Sequence, residues 1–448
     1  MSLSSTKTTI CALASGAPPA GIAVIRISGP QVRAFSAAHL RGGLPQPHMA
    51  RLRKLVDSSG EMVDEALTLF MPAGASYTNE DVLELHLHGG LAIVDHALET
   101  LLAFPGIGLA EPGEFTRRAF EAGRLDLTQA EGIADLIEAE TRAQKAQALA
   151  QTDGALSQIY STWRGSLLKA MSLLEVSVDF PDESEAPETV QKPVLEILLS
   201  LESELEDALR DGKLHQSVRD GFKVAIIGAP NAGKSTLLNR LAGRDAAIVT
   251  NVPGTTRDII EVRTRLVGQI IWFQDTAGLR QTDDPVEMEG VTRAKAAGEK
   301  ADLRIFLSAD DAPLSPTLEG FPARQSQDLL VRNKADLKVN ERLKPDQLEI
   351  SAETGMGIDS LITALEAWLG EIIGDISAPI ITRTRHRIGI EKALASTRAA
   401  ISLVKSNAGA ELASEDVRLA ARALAALVGE IGVEEILGAV FSEFCIGK

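Results

Sequence analysis

The sequence predicts three regions: a mixed α/β region at the N-terminus, a helical domain, and an α/β domain inserted in that helical domain. Short β-rich segments bounded by Gly, Pro, Ser and Asn fill the chain up to about Arg124. Ala-, Leu- and Glu-rich stretches with helical spacing lie on both sides of residues 216–375. Between them apolar strands alternate with helices, the pattern of parallel strands with covering helices. At 448 residues the chain is too long for one ordinary core.

In the first region, Gly21 to Ile27 and Val82 to His86 read as strands. From Thr128 to about Val178, residues such as Ile133, Leu136, Leu156, Ile159, Trp163, Leu167 and Leu174 recur at helical spacings. Trp163 fits a core anchor better than a base-stacking residue. The run Asp179 to Glu188 carries prolines and many carboxylates and is expected to be a solvated turn. Helix resumes from about Pro193 to Val218. Strands follow at Lys223–Ile227, Ile270–Asp275, Leu303–Leu307 and Asp328–Arg332, with helices after Lys234 and from Ile358. Beyond Ile380 the chain is helical again up to Phe444, with a cap-like Ser414 ahead of Asp416 and Val417. Termini of compact domains often lie close together, so helical blocks flanking one α/β domain imply an insertion.

Composition excludes several function classes. Hydrophobic residues at 45% and charged residues at 24% suit a soluble globular protein. The two cysteines, Cys11 and Cys445, are too few for a disulfide framework or a multi-cysteine metal site and point to a reducing compartment. No basic leader with an apolar stretch and no run of ~18 apolar residues occurs, so a cytoplasmic location without a membrane is expected. A net charge of −17 argues against a broad basic surface for nucleic acid, and 4% aromatics against a stacking platform.

Chemistry is concentrated in the α/β domain. Gly228-Ala229-Pro230-Asn231-Ala232-Gly233-Lys234-Ser235 follows an apolar strand and opens a helix, the context of a phosphate-binding loop. The N–H groups of Asn231, Ala232, Gly233, Lys234, Ser235 and Thr236 are placed to cradle phosphates at a helix N-terminus. Lys234 neutralises β- and γ-oxygens, and the Ser235 hydroxyl ligates Mg²⁺. Asp275 and Gly278 follow another strand, where a carboxylate reaches the Mg²⁺ shell through water and an N–H meets the γ-phosphate. Asn333-Lys334-Ala335-Asp336 chooses the base, because a carboxylate at Asp336 accepts from the N1–H and N2–H₂ of guanine and adenine offers no such pair. Ser351-Ala352-Glu353 then presents a backbone N–H to the guanine carbonyl. In Gly254 to Asp258, Thr256 is the better Mg²⁺ ligand and Thr255 the neighbouring alternative. Leu279 stands after Gly278, so another group must position the attacking water; Glu287 and Glu289 are the candidates. No arginine finger is identifiable. The expected ligands are GTP and GDP.

Two further groupings have ordinary readings. Glu84, His86 and His88 alternate along a strand and share one face, but without a further ligand the histidines are expected to be structural rather than metal-binding. Cys445 is expected to be exposed or packed rather than nucleophilic.

The nucleotide motifs, together with Ile22 to Pro30, Tyr77-Thr78-Asn79-Glu80-Asp81, Pro112-Gly113-Glu114-Phe115-Thr116, Leu125-Asp126-Leu127-Thr128-Gln129 and Phe444-Cys445-Ile446-Gly447-Lys448, resemble the MnmE (TrmE) tRNA-modification GTPase family over nearly the whole chain. The resemblance implies an α/β P-loop GTPase domain inserted in an all-α helical domain, preceded by an α+β folate-binding domain. Its boundaries are 1–124 for folate binding and dimerisation, 125–215 and 376–448 for the helical domain, and 216–375 for the GTPase domain. It implies a one-carbon folate, 5-formyltetrahydrofolate, contacted by Arg26, Glu84, Arg124 and Lys448. It also implies K⁺ held by Asn231, Thr250, Val252 and Thr255, and catalysis by Glu287 with Lys234 and Thr256; Thr250 and Thr255 count among the nucleotide contacts. The implied activity is a potassium-dependent GTPase, paired transiently through its GTPase domains within a homodimer. With the FAD-containing partner MnmG (GidA) it would install carboxymethylaminomethyl or aminomethyl groups at the wobble uridine of certain tRNAs. The rival class is a GTPase switch in ribosome assembly, which usually needs an RNA-binding module or basic tail.

Overall fold

A computed structural model of the chain describes residues 8–179, 186–229, 231–243, 261–275, 297–309, 326–337, 347–373, 381–407, 409–431, 434–442, 444 and 446–447. The described residues group into two compact units. One comprises 1–137, 151–171 and 417–448, the other 138–150 and 172–416.

The first unit is built on β1 (Thr9–Leu13), β2 (Ile22–Ser28), β3 (Leu40–Arg41), β4 (Arg51–Val56), β5 (Met62–Met71), β6 (Val82–His88) and β7 (Ile107–Leu109), with α1 (Val32–His39), α2 (Leu91–Leu102) and α3 (Glu114–Glu121). The sheet order is β3-β4-β5-β6-β2-β1-β7. Alternation along β2 and β6 sends Ile25, Ile27, Leu83 and Leu85 into a core with Val32 and Phe35 of α1 and Ala97 and Leu101 of α2. The same period turns Arg26 and Glu84 to the opposite face, where the antiparallel register sets them directly across from each other. In chain order α3 is followed by α4 (Leu127–Glu138), α5 (Arg142–Thr152), α6 (Ala155–Asp179) and α7 (Ala186–Asp220), of which α7, residues 142–150 of α5 and residues 172–179 of α6 belong to the second unit. The start of α4 is a capping box: Asp126 Oδ1 accepts from Gln129 N–H at 2.9 Å and Gln129 Oε1 accepts from Asp126 N–H at 3.0 Å.

The second unit holds β8 (Phe222–Gly228), α8 (Lys234–Ala242), β9 (Glu261–Leu266), β10 (Gln269–Asp275), β11 (Leu303–Ser308), β12 (Leu329–Arg332), β13 (Gln347–Glu349) and α9 (Ile358–Ile373), with α10 (Thr384–Ser406); α11 (Ala410–Val428) and α12 (Glu434–Ser442) close the chain. Its sheet order is β13-β12-β11-β8-β10-β9. Val224, Ile226, Ile305 and Leu307 from the central strands pack with Leu237, Leu241, Leu361, Leu365 and Trp368 of α8 and α9, all buried. Each such side chain contributes about 1.5–3 kcal/mol by leaving water.

Two expectations need correction. The second sheet is not wholly parallel, because β9 runs antiparallel to β10. Val267 and Gly268, with φ of 50° and 72°, form the two-residue hairpin turn between them, whose twist suits an antiparallel pair. The helix expected from about Pro193 begins at Ala186, with Pro193 inside it, so Ala186 to Glu188, expected in a turn, are helical; residues 180–185 of that run lie outside the described residues. Flanking turns of helix hold a proline that local propensity alone would place at a boundary.

Candidate functional site

The phosphate loop joins the central strand β8 to α8, at the C-terminal edge of the sheet where ligands of open α/β folds bind. Gly228 must be glycine, because a Cβ there would collide with the Leu307 carbonyl oxygen on β11. Asn231 and Gly233 take left-handed backbone conformations with φ of 63° and 92°. They curl the chain so that α8 starts facing inward. Lys234 is buried, and its Nζ donates to Gly228 O at 2.9 Å and Ala229 O at 3.1 Å, which holds the ammonium at the rim of the loop. Ser235 and Thr236 stand exposed at the helix start.

Asn333 connects this loop to the edge where a base would sit. Its side chain is 4% exposed. Nδ2 donates to Ala232 O at 2.8 Å, and Oδ1 accepts from Ala352 N–H at 2.9 Å. A Cβ on Gly233 would strike Asn333 Nδ2, so the glycine keeps the place open for that amide. Lys334 has φ of 62°, and Ala335 N–H donates to Ile350 O at 3.1 Å, which turns the chain so that Asp336 emerges exposed beside the loop from Ser351. In that loop Thr354 N–H donates to the buried Ser351 Oγ at 3.1 Å, Ser351 N–H to Met356 O at 2.8 Å and Gly355 N–H to Ser351 O at 2.8 Å. Asp275 ends β10 beside β8, in register with Ile226. Thr250, Val252, Thr255, Thr256, Gly278 and Glu287 lie outside the described residues.

The structure thus gathers Asn231 to Thr236, Asn333 to Asp336 and Ser351-Ala352 at one edge of one sheet. The cradle fits a nucleotide by its own geometry: left-handed turns expose N–H groups, and a lysine ammonium is fixed at its rim. Arg240, which the motifs do not include, also reaches this edge: Nε donates to Ala352 O at 3.0 Å and Nη2 donates to Glu353 O.

A second site lies in the first unit. Glu84 Oε1 accepts from Arg26 Nε at 2.9 Å, Arg26 Nη1 donates to Gly447 O at 3.4 Å, and the guanidinium lies 5.7 Å from the centre of the Phe115 ring. The C-terminal segment therefore sits beside the Arg26–Glu84 pair. Gly447, with φ of 94°, has no room for a Cβ against Leu13 O. Arg124 instead donates to Ser76 O at 2.7 Å; Cys445 and Lys448 lie outside the described residues. His86 Nε2 is 3.4 Å from Glu84, and His88 Nδ1 is 2.9 Å from Asp64. No group of three or more His, Cys, Asp or Glu side chains able to hold a metal occurs among the described residues. Sequence reading passed over the network beneath: Arg118 bridges Glu80 at 3.0 Å and Glu114 at 2.8 Å, and Ser28 Oγ donates to Glu80 at 2.8 Å. Glu80, Glu114 and Arg118 lie in the Asn79-Glu80-Asp81 and Gly113-Glu114-Phe115 segments or near them, and the Glu80 contacts join positions far apart in sequence.

The first of these sites and the sheet that carries it define the class, a P-loop nucleotide-binding protein of the GTPase type. Family models extend this beyond one domain: "MnmE helical domain" matches residues 127–445 and "GTP-binding protein TrmE N-terminus" matches residues 9–124. The chain belongs to the MnmE family. A tRNA modification GTPase MnmE of Hyphomonas neptunium is 53% identical over 99% of each chain. Proteins of the same name are 47% identical in Parvibaculum lavamentivorans, over 98% of this chain and 100% of the relative, and 48% identical in Azorhizobium caulinodans, over 98% and 99%. Among solved structures, the G domain of the T. maritima FeoB iron transporter shares 24% identity over 33% of this chain and 98% of that chain, with a TM-score of 0.27. No described helix is long and apolar enough to cross a membrane.

Proposed function

We propose that this chain is a potassium-dependent GTPase that acts with the FAD-containing protein MnmG to install carboxymethylaminomethyl or aminomethyl groups at C5 of the wobble uridine of certain tRNAs. The relatives' name supports the tRNA reading, and the bridge from Ala232 through Asn333 to Ala352 carries the nucleotide reading. That bridge fixes the spacing between a phosphate cradle and a base pocket, so that one rigid ligand fills both. Asp336 accepts from the guanine N1–H and N2–H₂ edge. Lys234 lies along the phosphates and neutralises oxygens as the bond to the γ-phosphorus breaks. Glu287 orients the water that attacks the γ-phosphorus, releasing GDP and phosphate. Ser235 and Thr256 would hold Mg²⁺, and Asn231, Thr250, Val252 and Thr255 would hold K⁺; bound there, these cations would supply positive charge against the developing oxyanions.

The proposed domains are 1–124 for folate binding and homodimerisation, 125–215 with 376–448 for the helical domain, and an inserted GTPase domain at 216–375, in a cytoplasmic protein. At the first of these, Arg26 and Glu84 bind 5-formyltetrahydrofolate together with Arg124 and Lys448. A carboxylate there suits the pterin's guanidine-like N–H edge. The test is GTP turnover in KCl and NaCl at equal ionic strength. Turnover is expected in KCl and a large loss in NaCl, and equal rates would overturn the potassium role.

A further inference from the structure

Residue Ala352 is held from both sides. Its N–H donates to Asn333 Oδ1 at 2.9 Å, and its carbonyl accepts from Arg240 Nε at 3.0 Å, while Arg240 Nη2 donates to the next carbonyl, that of Glu353. Arg240 stands on α8, the helix that opens at Lys234, so one rigid element carries the phosphate contact at its start and this clamp further along. The loop it grips is a tight one. Gly355 and Gly357 take φ of 91° and 73°, and a Cβ on Gly357 would collide with Glu349 O. The loop's internal hydrogen bonds close Ser351 onto Thr354, Gly355 and Met356. They leave the Ala352 and Glu353 carbonyls directed outward, where Arg240 takes both.

The contact spans an open groove of about 430 Å³ lined by Thr236, Asn239, Arg240, Ala352, Glu353 and Gly355. Arg240 itself is exposed, so shortening it leaves no hole in the core; what it removes is the tether on the loop. A planar guanidinium suits this task because its rigid fork sets two separate N–H donors at a fixed spacing, one for each neighbouring oxygen.

We propose that Arg240 is a positioning residue of the base pocket: by clamping the Ala352 and Glu353 carbonyls to the phosphate-loop helix, it holds this loop at the place where the 6-carbonyl of guanine docks, and so sets both nucleotide retention and preference for a 6-oxopurine. This rests on the guanine reading proposed above. Hydrogen bonds to charged groups contribute more than neutral ones, and a partly exposed pair of them corresponds to about a tenfold change in retention.

The test uses the full chain with fluorescently labelled GDP and with the labelled diphosphate of 2-aminopurine riboside, which lacks the 6-carbonyl. Arg240→Ala is expected to release GDP about tenfold faster and to shrink the preference for GDP over the 2-aminopurine nucleotide by a similar factor, with the loss larger in KM for GTP than in kcat. Arg240→Lys, which keeps the charge but loses the rigid fork, is expected to fall between the two. Faster GDP release with the base preference intact would show a merely structural role and overturn the proposal, as would release and preference equal to wild type. Unaltered protein that binds GDP no better than ADP would remove the guanine reading itself, and the proposal with it.

Discussion

Replacing Asn333 by Asp changes one donor into an acceptor with almost no change of shape. In the native site Nδ2 donates to Ala232 O at 2.8 Å and Oδ1 accepts from Ala352 N–H at 2.9 Å, in surroundings only 4% exposed. The aspartate keeps the second bond and loses the first, and it sets a carboxylate against the Ala232 carbonyl. A buried acceptor left without its donor costs about 1–3 kcal/mol, and the repulsion between buried oxygens adds to that. Because the bridge ties the phosphate loop to the base loop, most of the cost falls on the nucleotide-bound state. An expected loss of about 2–4 kcal/mol corresponds to a roughly 30- to 1000-fold weaker GDP affinity by calorimetry. Asp336→Asn is expected to behave differently, weakening GDP while favouring the xanthosine nucleotide, since an amide donates to the new carbonyl. GDP affinity of Asn333→Asp within about threefold of wild type would refute the bridge as the feature that assembles the pocket.

Other outcomes follow from contacts elsewhere. The Glu140 carboxyl is held below the usual carboxylate range chiefly by the hydrogen bond from Arg263, with Arg265 adding to it. A depressed folded pKa gives stability that is fully present above the unfolded value and lost as pH falls through the folded one. Glu140→Gln is therefore expected to unfold about 0.5–1 kcal/mol more easily in urea at pH 7 and to match wild type at acid pH; equal midpoints at pH 7 would dismiss the clasp. Glu84→Ala removes the carboxylate across from Arg26 and is expected to abolish 5-formyltetrahydrofolate binding by calorimetry with GTP binding near normal. Unchanged folate affinity, or joint loss of both ligands, would count against a separate folate site.

Much of the nucleotide edge was legible because its chemistry is local. The phosphate loop needs its glycines and lysine within one strand-to-helix turn, and Asn333 to Asp336 follow an apolar strand in the same way. What stayed hidden was made by long-range pairing. The alternation of Glu261, Arg263 and Arg265 with Val262, Thr264 and Leu266 has the period of a strand with one wet face, but it names neither the partner nor the edge position. Only the hairpin at Val267-Gly268 and the register with β10 reveal it. Arg240 carries no motif, because its partners are backbone carbonyls that any residues could supply. In the first unit the period of two sets Arg26 and Glu84 on the side of their strands away from the core, but their pairing across β2 and β6 required the register. The capping box at Asp126-Gln129 was legible in principle from spacing alone.

The most direct test of the proposed activity is the modified-nucleoside profile of tRNA from cells that lack this protein, complemented with wild type or with Asp336→Asn. Loss of the carboxymethylaminomethyl- and aminomethyl-type wobble uridines, restored by wild type and not by Asp336→Asn, is the expected result. A profile unchanged by the deletion would contradict the account.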